Sequence, residues 1–157
     1  MSADQNKAIV QRFIEELWNN RNRDVADEIF AADCVTHQLR SGSAFVSVKR
    51  NAEFVKNHVA EWLAGFPNLR FTLERMIAEG DQVVSQMVMK GTHAGTWLGI
   101  APTGKEVSIR RIVIHRIVNG RIAEDWVLVE SLELSSNLES YHRPEAADGS
   151  SLSVGAR

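Results

Sequence analysis

The chain has 157 residues, enough for one ordinary domain, and is 44% hydrophobic and 24% charged, the balance of a water-soluble globular protein. A formal net charge of −2 offers nucleic acid or anionic lipid no electrostatic handle. One cysteine, Cys34, excludes an intramolecular disulfide and the cysteine-rich zinc patterns, and fits a reducing, cytoplasmic setting.

The first residues, MSADQNKAIVQRF, hold no long apolar core, so no secretion signal is expected. No apolar run approaches the roughly 18 residues of a membrane span. Ile9, Val10, Phe13, Ile14, Leu17 and Trp18 recur at helical spacing and predict an amphipathic first helix that ends at NNRNRD. Asp24 is placed to cap a short second helix through Phe30. DCVTHQ (33–38) predicts a short extended segment. A third helix is expected from about Ser47 to Ala64, with the stripe Val48, Ala52, Val55, Val59, Trp62 and Leu63, stopped by Gly65 and Pro67.

After Pro67 the period changes to two. RFTLERMIA and VVSQMVMKG predict two strands joined by EGDQ. THAGTWLGIAPTGK predicts a glycine-rich loop, and EVSIRRIVIHRI with RIAEDWVLVESLEL a closing hairpin turned at Asn119-Gly120. Helices first and a long sheet afterwards predict an α+β fold, a cone-shaped barrel of curved antiparallel sheet wrapped by three N-terminal helices. There is no repeat and no linker, so residues 1–142 are expected to form one domain, with the small, polar stretch 143–157 as a disordered tail.

Asp125 is a carboxylate on an apolar strand face, with Ala123 and Val127. Its neighbour depends on register. A two-residue turn at Asn119-Gly120 sets Asp125 opposite Ile114. A three-residue turn with Gly120 as a bulge sets it opposite Val113, diagonal to Arg111 and His115. The second register is preferred, because it gathers the polar residues in the middle of one face and gives Asp125 a cationic neighbour. Asp125 is then a candidate general acid/base, or half of an ion pair with Arg111. Arg111 is a candidate for orienting a carbonyl or stabilising an enolate oxygen, and His115 for relaying a proton or acting as a satisfied core histidine. The opposite face leaves a strip of Ile112, Ile114, Trp126 and Leu128, which predicts a homodimer through the outer face of the sheet.

Other residues complete the candidate site. His37 is expected at the mouth of the barrel as a further catalytic candidate. His93 ends a strand before the glycine loop, where it either holds the loop or meets substrate. Gln86 shares a strand face with Val84 and Val88 and is a candidate hydrogen-bonder to substrate. Trp62, Phe66, Trp97 and Met87 are candidates for an aromatic-tolerant pocket wall. The histidines follow no metal-ligand spacing, so no metal is expected. Cys34 has no base partner in sequence and reads as core.

The segment 91–130, GTHAGTWLGIAPTGKEVSIRRIVIHRIVNGRIAEDWVLVE, resembles the SnoaL-like polyketide cyclase (ester cyclase) family of the nuclear transport factor 2-like superfamily. The resemblance rests on Gly91-Thr92-His93, the Gly95 to Gly99 loop, Pro102-Thr103-Gly104-Lys105 and Glu124-Asp125-Trp126. In the helical half it rests on LWNNRN, AADCVTH and FPNLRF, and the match covers about residues 6 to 135. It implies a cone-shaped α+β barrel with an apolar cavity. It also implies cofactor-free chemistry, such as intramolecular aldol closure of a polyketide with an aspartate as acid/base. The family's acid/base position holds Val127 here, and Asp125 stands where histidine is common in the family.

These readings converge on a cytoplasmic, homodimeric enzyme without cofactor, acting on a hydrophobic, carbonyl-bearing small molecule. Cyclisation, isomerisation or water addition fits, so the activity is that of a cyclase-like lyase or isomerase of secondary metabolism. A non-catalytic ligand-binding module and a hydroxylase component served by a separate reductase are the alternatives.

Overall fold

The structure, a computed structural model, describes residues 1–39 and 46–130. Helix α1 (Ala3–Arg12) opens with a capping box. The Ser2 side chain accepts from the Gln5 backbone N–H, and the Gln5 side chain accepts from the Ser2 N–H. The helix continues into a π-helical stretch, Phe13–Asn19. The expected stripe is its buried side: Ile9, Val10, Ile14, Leu17 and Trp18 are all buried. Helix α2 (Val25–Ile29) follows, with Asp24 at its N-cap position but making no side-chain cap bond.

Helix α3 (Ala52–Gly65) starts later than the apolar stripe predicts. Asn51 begins it, accepting from the Phe54 N–H at 2.9 Å. The preceding Val46–Lys49 is strand β2 instead of helix. Alternating Val46 and Val48 suit a pleated strand, where β-branched side chains are at ease.

The other strands are β1 (Phe30–Leu39), β3 (Arg70–Glu79), β4 (Gln82–Thr92), β5 (Glu106–Val118) and β6 (Arg121–Val129). They form one six-stranded sheet in the order β2-β1-β6-β5-β4-β3. Helices at the N-terminal end on one curved sheet give the expected α+β fold, with two departures in detail. Strand β1 pairs with β6 in parallel, because the whole of β2, α3 and β3 to β5 intervenes as the long crossover that a parallel pair requires. Among the described residues the curved sheet is also not closed: β2 and β3 are its edges. Charged Arg70, Glu74, Arg75 and Glu79 line the exposed parts of β3, which discourages pairing with another edge.

The inner face of the sheet carries Phe71, Met87, Ile109 and Val113, packed with Ile14, Leu17, Val55 and Val59 of the helices in one core. The expected tail, 143–157, and the last residues of the expected final strand lie outside the described residues.

Candidate active site

Asn119 (φ 49°) and Gly120 (φ 75°) both take left-handed conformations, the signature of a two-residue type I′ turn, and Val118 pairs with Arg121. The register then slips. Ile117 pairs with Ile122, but Arg116 pairs with Glu124, so Ala123 is an extra residue in β6. The structure therefore has the turn of one expected register and a bulge placed where neither had it. Asp125 faces His115 directly.

That pairing forms the centre of the site. His115 Nδ1 lies 2.7 Å from Asp125 Oδ1, and His115 Nε2 lies 3.2 Å from the Ser85 hydroxyl. An ionised carboxylate only accepts, so Nδ1 carries the proton in this bond. His115 and Ser85 are completely buried, and Asp125 is 4% exposed. Phe13, at the start of the π-helical stretch, meets the His115 ring edge-on with centroids 5.5 Å apart. Of the pair, only Asp125 keeps any exposed surface, and the bond to His115 fixes its carboxylate.

The expected ion pair between Asp125 and Arg111 does not form. Two ladder steps separate them, since Val127 pairs with Val113 and Val129 with Arg111. Arg111 points inward with its guanidinium carbon 5.5 Å from the centre of the Phe71 ring. Burial lowers its pKa to about 10, neighbouring Arg50 lowers it too, and Asp125 acts in the opposite sense. At neutral pH it remains a cation.

Two sequence candidates lie on the other side of the sheet. Gln86 faces outward and donates to Glu74 Oε2 at 3.0 Å. The inner residues of β4 are Val83, Ser85, Met87 and Met89, so Gln86 has the wrong parity for the interior. His37 is also outward. It bonds Glu124 through Nε2 at 2.7 Å and Ser47 through Nδ1 at 2.8 Å, and stacks on Trp126. The inward residues beside it are Cys34 and Thr36.

His93 is fully buried and holds the glycine loop. The Thr103 backbone N–H donates to its Nδ1 at 3.3 Å, and its own backbone bonds Gly104 and Lys105. Its ring stacks on Phe66. Trp62, Phe66 and Trp97 form one aromatic cluster, with Trp62 and Trp97 centroids 4.6 Å apart. The same loop is bound to α3, because the Gly65 carbonyl accepts from the N–H groups of both Ala94 and Gly95 at 3.0 Å. Gly95 admits no side chain, since a Cβ there would sit 1.9 Å from the Ala64 carbonyl oxygen. Met87 is on the inner face, paired with Arg111.

Sequence reading missed three neighbours of Asp125. Ser85 could have been found from its parity with Met87. Thr36 aligns with Asp125 across the parallel ladder, and its buried hydroxyl has no partner. Arg50 was hidden in the stretch expected to be helical. His58, between Trp18 and Trp62, is kept neutral: burial, then Arg50 and Arg111, lower its pKa to about 3. Burial, then Asp125, pushes the Cys34 thiol up to about 12, so it is no nucleophile. Among the described residues, no three His, Cys, Asp or Glu side chains group closely enough to hold a metal ion.

Comparison with known proteins bears on the family and the fold. Residues 8–138 match the family model for SnoaL-like polyketide cyclase. The chain is similar to the aklanonic acid methyl ester cyclase AcmA of Streptomyces galilaeus, with 29% identity over 123 residues, 76% of this chain and 81% of that protein. Its fold is similar to that of a candidate SnoaL-like polyketide cyclase from Jannaschia sp. CCS1 (TM-score 0.75, 24% identity, 88% of this chain and 94% of the other). It is also similar to AclR, a candidate hydroxylase from Streptomyces galilaeus (TM-score 0.74, 23% identity, 88% and 98% covered). At these identities the two structures speak for the fold alone.

Proposed function

The chain belongs to the SnoaL-like polyketide cyclase family, and from that premise we propose that it is a cofactor-free enzyme of acid/base chemistry on a hydrophobic, carbonyl-bearing, polyketide-like metabolite, with Asp125 as the acid/base. The observation that carries this reading is the inward, nearly buried carboxylate of Asp125, fixed at 2.7 Å by a fully buried histidine. Asp125 removes a proton from a carbon next to a carbonyl. The resulting enolate attacks a second carbonyl of the same molecule, and protonated Asp125 returns its proton to the new alkoxide. His115, backed by Ser85, is a positioning residue that orients the carboxylate. Arg111 supplies positive charge for the developing enolate oxygen, and Trp62, Phe66, Trp97 and Met87 supply apolar wall. Isomerisation and water addition would use the same groups.

The test is turnover of aklanonic acid methyl ester, the compound in the relative's name, of its free acid, and of analogous β-keto esters and β-keto acids. Asp125→Asn should lower turnover by about 10²–10⁴-fold with little change in binding. Near-native turnover by a folded Asp125→Asn protein would remove Asp125 from the mechanism.

A second copy of the chain is proposed to cover the outer face. Ile112 and Leu128 there are 42% and 47% exposed, beside half-buried Ile114 and Trp126. Sedimentation at micromolar concentration giving a 17.5 kDa species would count against this assembly.

A further inference from the structure

Two guanidinium groups stand near enough to Asp125 to feel its charge. Arg50 follows β2, and its backbone N–H donates to the Cys34 carbonyl at 2.7 Å, so it starts from the inner edge of β1 beside Thr36 and Asp125. Arg111 reaches in from β5 on the opposite side. The Nε atoms of both are buried and make no hydrogen bond. Neither residue forms an ion pair among the described residues. Their guanidinium carbons stand over aromatic rings, Phe54 for Arg50 and Phe71 for Arg111, each 5.5 Å from the ring centre.

The groups feel one another. Each cation is favoured by Asp125, Arg50 disfavours the charge on Arg111, and both disfavour a charge on His58. The site thus holds two permanent cations against one carboxylate, with a neutral histidine beside them. Burying a cation without a paired anion costs several kcal/mol by general experience. One transient enolate oxygen would use one of them.

We infer that Arg50 and Arg111 together form a carboxylate-binding site, so that the ligand beside Asp125 is a hydrophobic free acid and not an ester. The inference rests on the reading that the space beside Asp125 is the ligand site, and it names the class of ligand. The guanidinium fork matches a carboxylate in two parallel N–H···O bonds, and the Trp62, Phe66 and Trp97 cluster suits the apolar remainder. A singly charged carboxylate is preferred to a phosphate, because Asp125 repels added negative charge.

The experiment compares 2-naphthoate, methyl 2-naphthoate and 2-naphthyl phosphate by calorimetry at neutral pH, with no turnover required. The acid should bind at least about 10-fold tighter than its ester. Arg50→Gln and Arg111→Gln should each weaken the acid by about 10- to 100-fold and shift the ester by less than about 2-fold. Should either variant fail to fold, the acid-to-ester ratio of the native protein decides alone. Equal binding of acid and ester, no binding of either, or a preference for the phosphate would overturn the assignment. Acid preference combined with full turnover in Asp125→Asn would leave this inference standing and remove the acid/base role.

Discussion

Two histidine–carboxylate pairs stand back to back on β6. On the outer face Glu124 Oε1 meets His37 Nε2 at 2.7 Å; on the inner face Asp125 Oδ1 meets His115 Nδ1 at the same 2.7 Å. Each histidine rests its other nitrogen on a serine, Ser47 outside and Ser85 inside. The surroundings differ. The outer carboxylate is shared with Arg116 at 2.8 Å and keeps 24% of its side-chain surface, against 6% for Asp125. Access to water reduces the outer pair to the modest value of a surface contact. The inner pair sits in a medium where charge is poorly solvated and a hydrogen bond is electrostatically stronger. Identical bond lengths therefore say little about role, and burial separates them.

Breaking the carboxylates tests this most strongly. Asp125→Asn should cost about 10²–10⁴-fold in turnover, whereas Glu124→Gln should leave turnover within about 2-fold. Comparable losses in steady-state assays of both variants would erase the distinction. Removing the histidines comes next. His115→Leu strands a buried carboxylate and should destabilise by about 3–5 kcal/mol in urea unfolding. His37→Leu should cost about 1 kcal/mol or less.

Acid separates the two sides further. His58, on the helical wall of the interior, has a folded pKa of about 3, below its ordinary 6.5. The unfolded chain takes up that proton first, so stability should fall as pH drops below about 6.5, by up to about 1.4 kcal/mol per pH unit. His58→Phe should flatten that limb of a melting-temperature profile. Glu124 has the opposite sign. The His37 bond, then Arg116, hold its pKa below the ordinary 4.5, so its contribution is present above that pH and disappears as pH falls through the depressed folded value. The smallest expected effect is therefore a Glu124→Gln melting difference that is visible at neutral pH and vanishes at the acid end.

Much of this arrangement is legible in sequence. The helical stripe at Ile9 to Trp18, the change to period two after Pro67 and the inward carboxylate at 125 follow from local spacing. The bulge does not. Ile122 and Asp125 both face inward although an unbroken strand would turn them to opposite sides, and only the extra residue at Ala123 reconciles them. Gln86 and His37 face outward, against expectation, for a related reason. Strand β4 is apolar on both faces, with Val84 and Val88 outward and Val83 and Met87 inward, so alternation alone gives no direction. Strand β1 is similar, with Val35 outward between Cys34 and Thr36. Arg50 became visible as a neighbour of Asp125 only once β1 was laid beside β6, a pairing between segments far apart in the chain.

The two loop amides that close on the Gly65 carbonyl give the rim of the site a mechanical character. A segment fastened at Ala94 and Gly95 to the last turn of α3 is a poor hinge, since it cannot swing without dragging that turn and Trp62 along. Trp97 lies so close that even a methyl group at Gly65 would collide with its Cβ at 2.5 Å. In deuterium exchange, the amides of Ala94 and Gly95 should therefore keep pace with Phe66 at the end of the helix, and not with the rest of a glycine-rich surface loop.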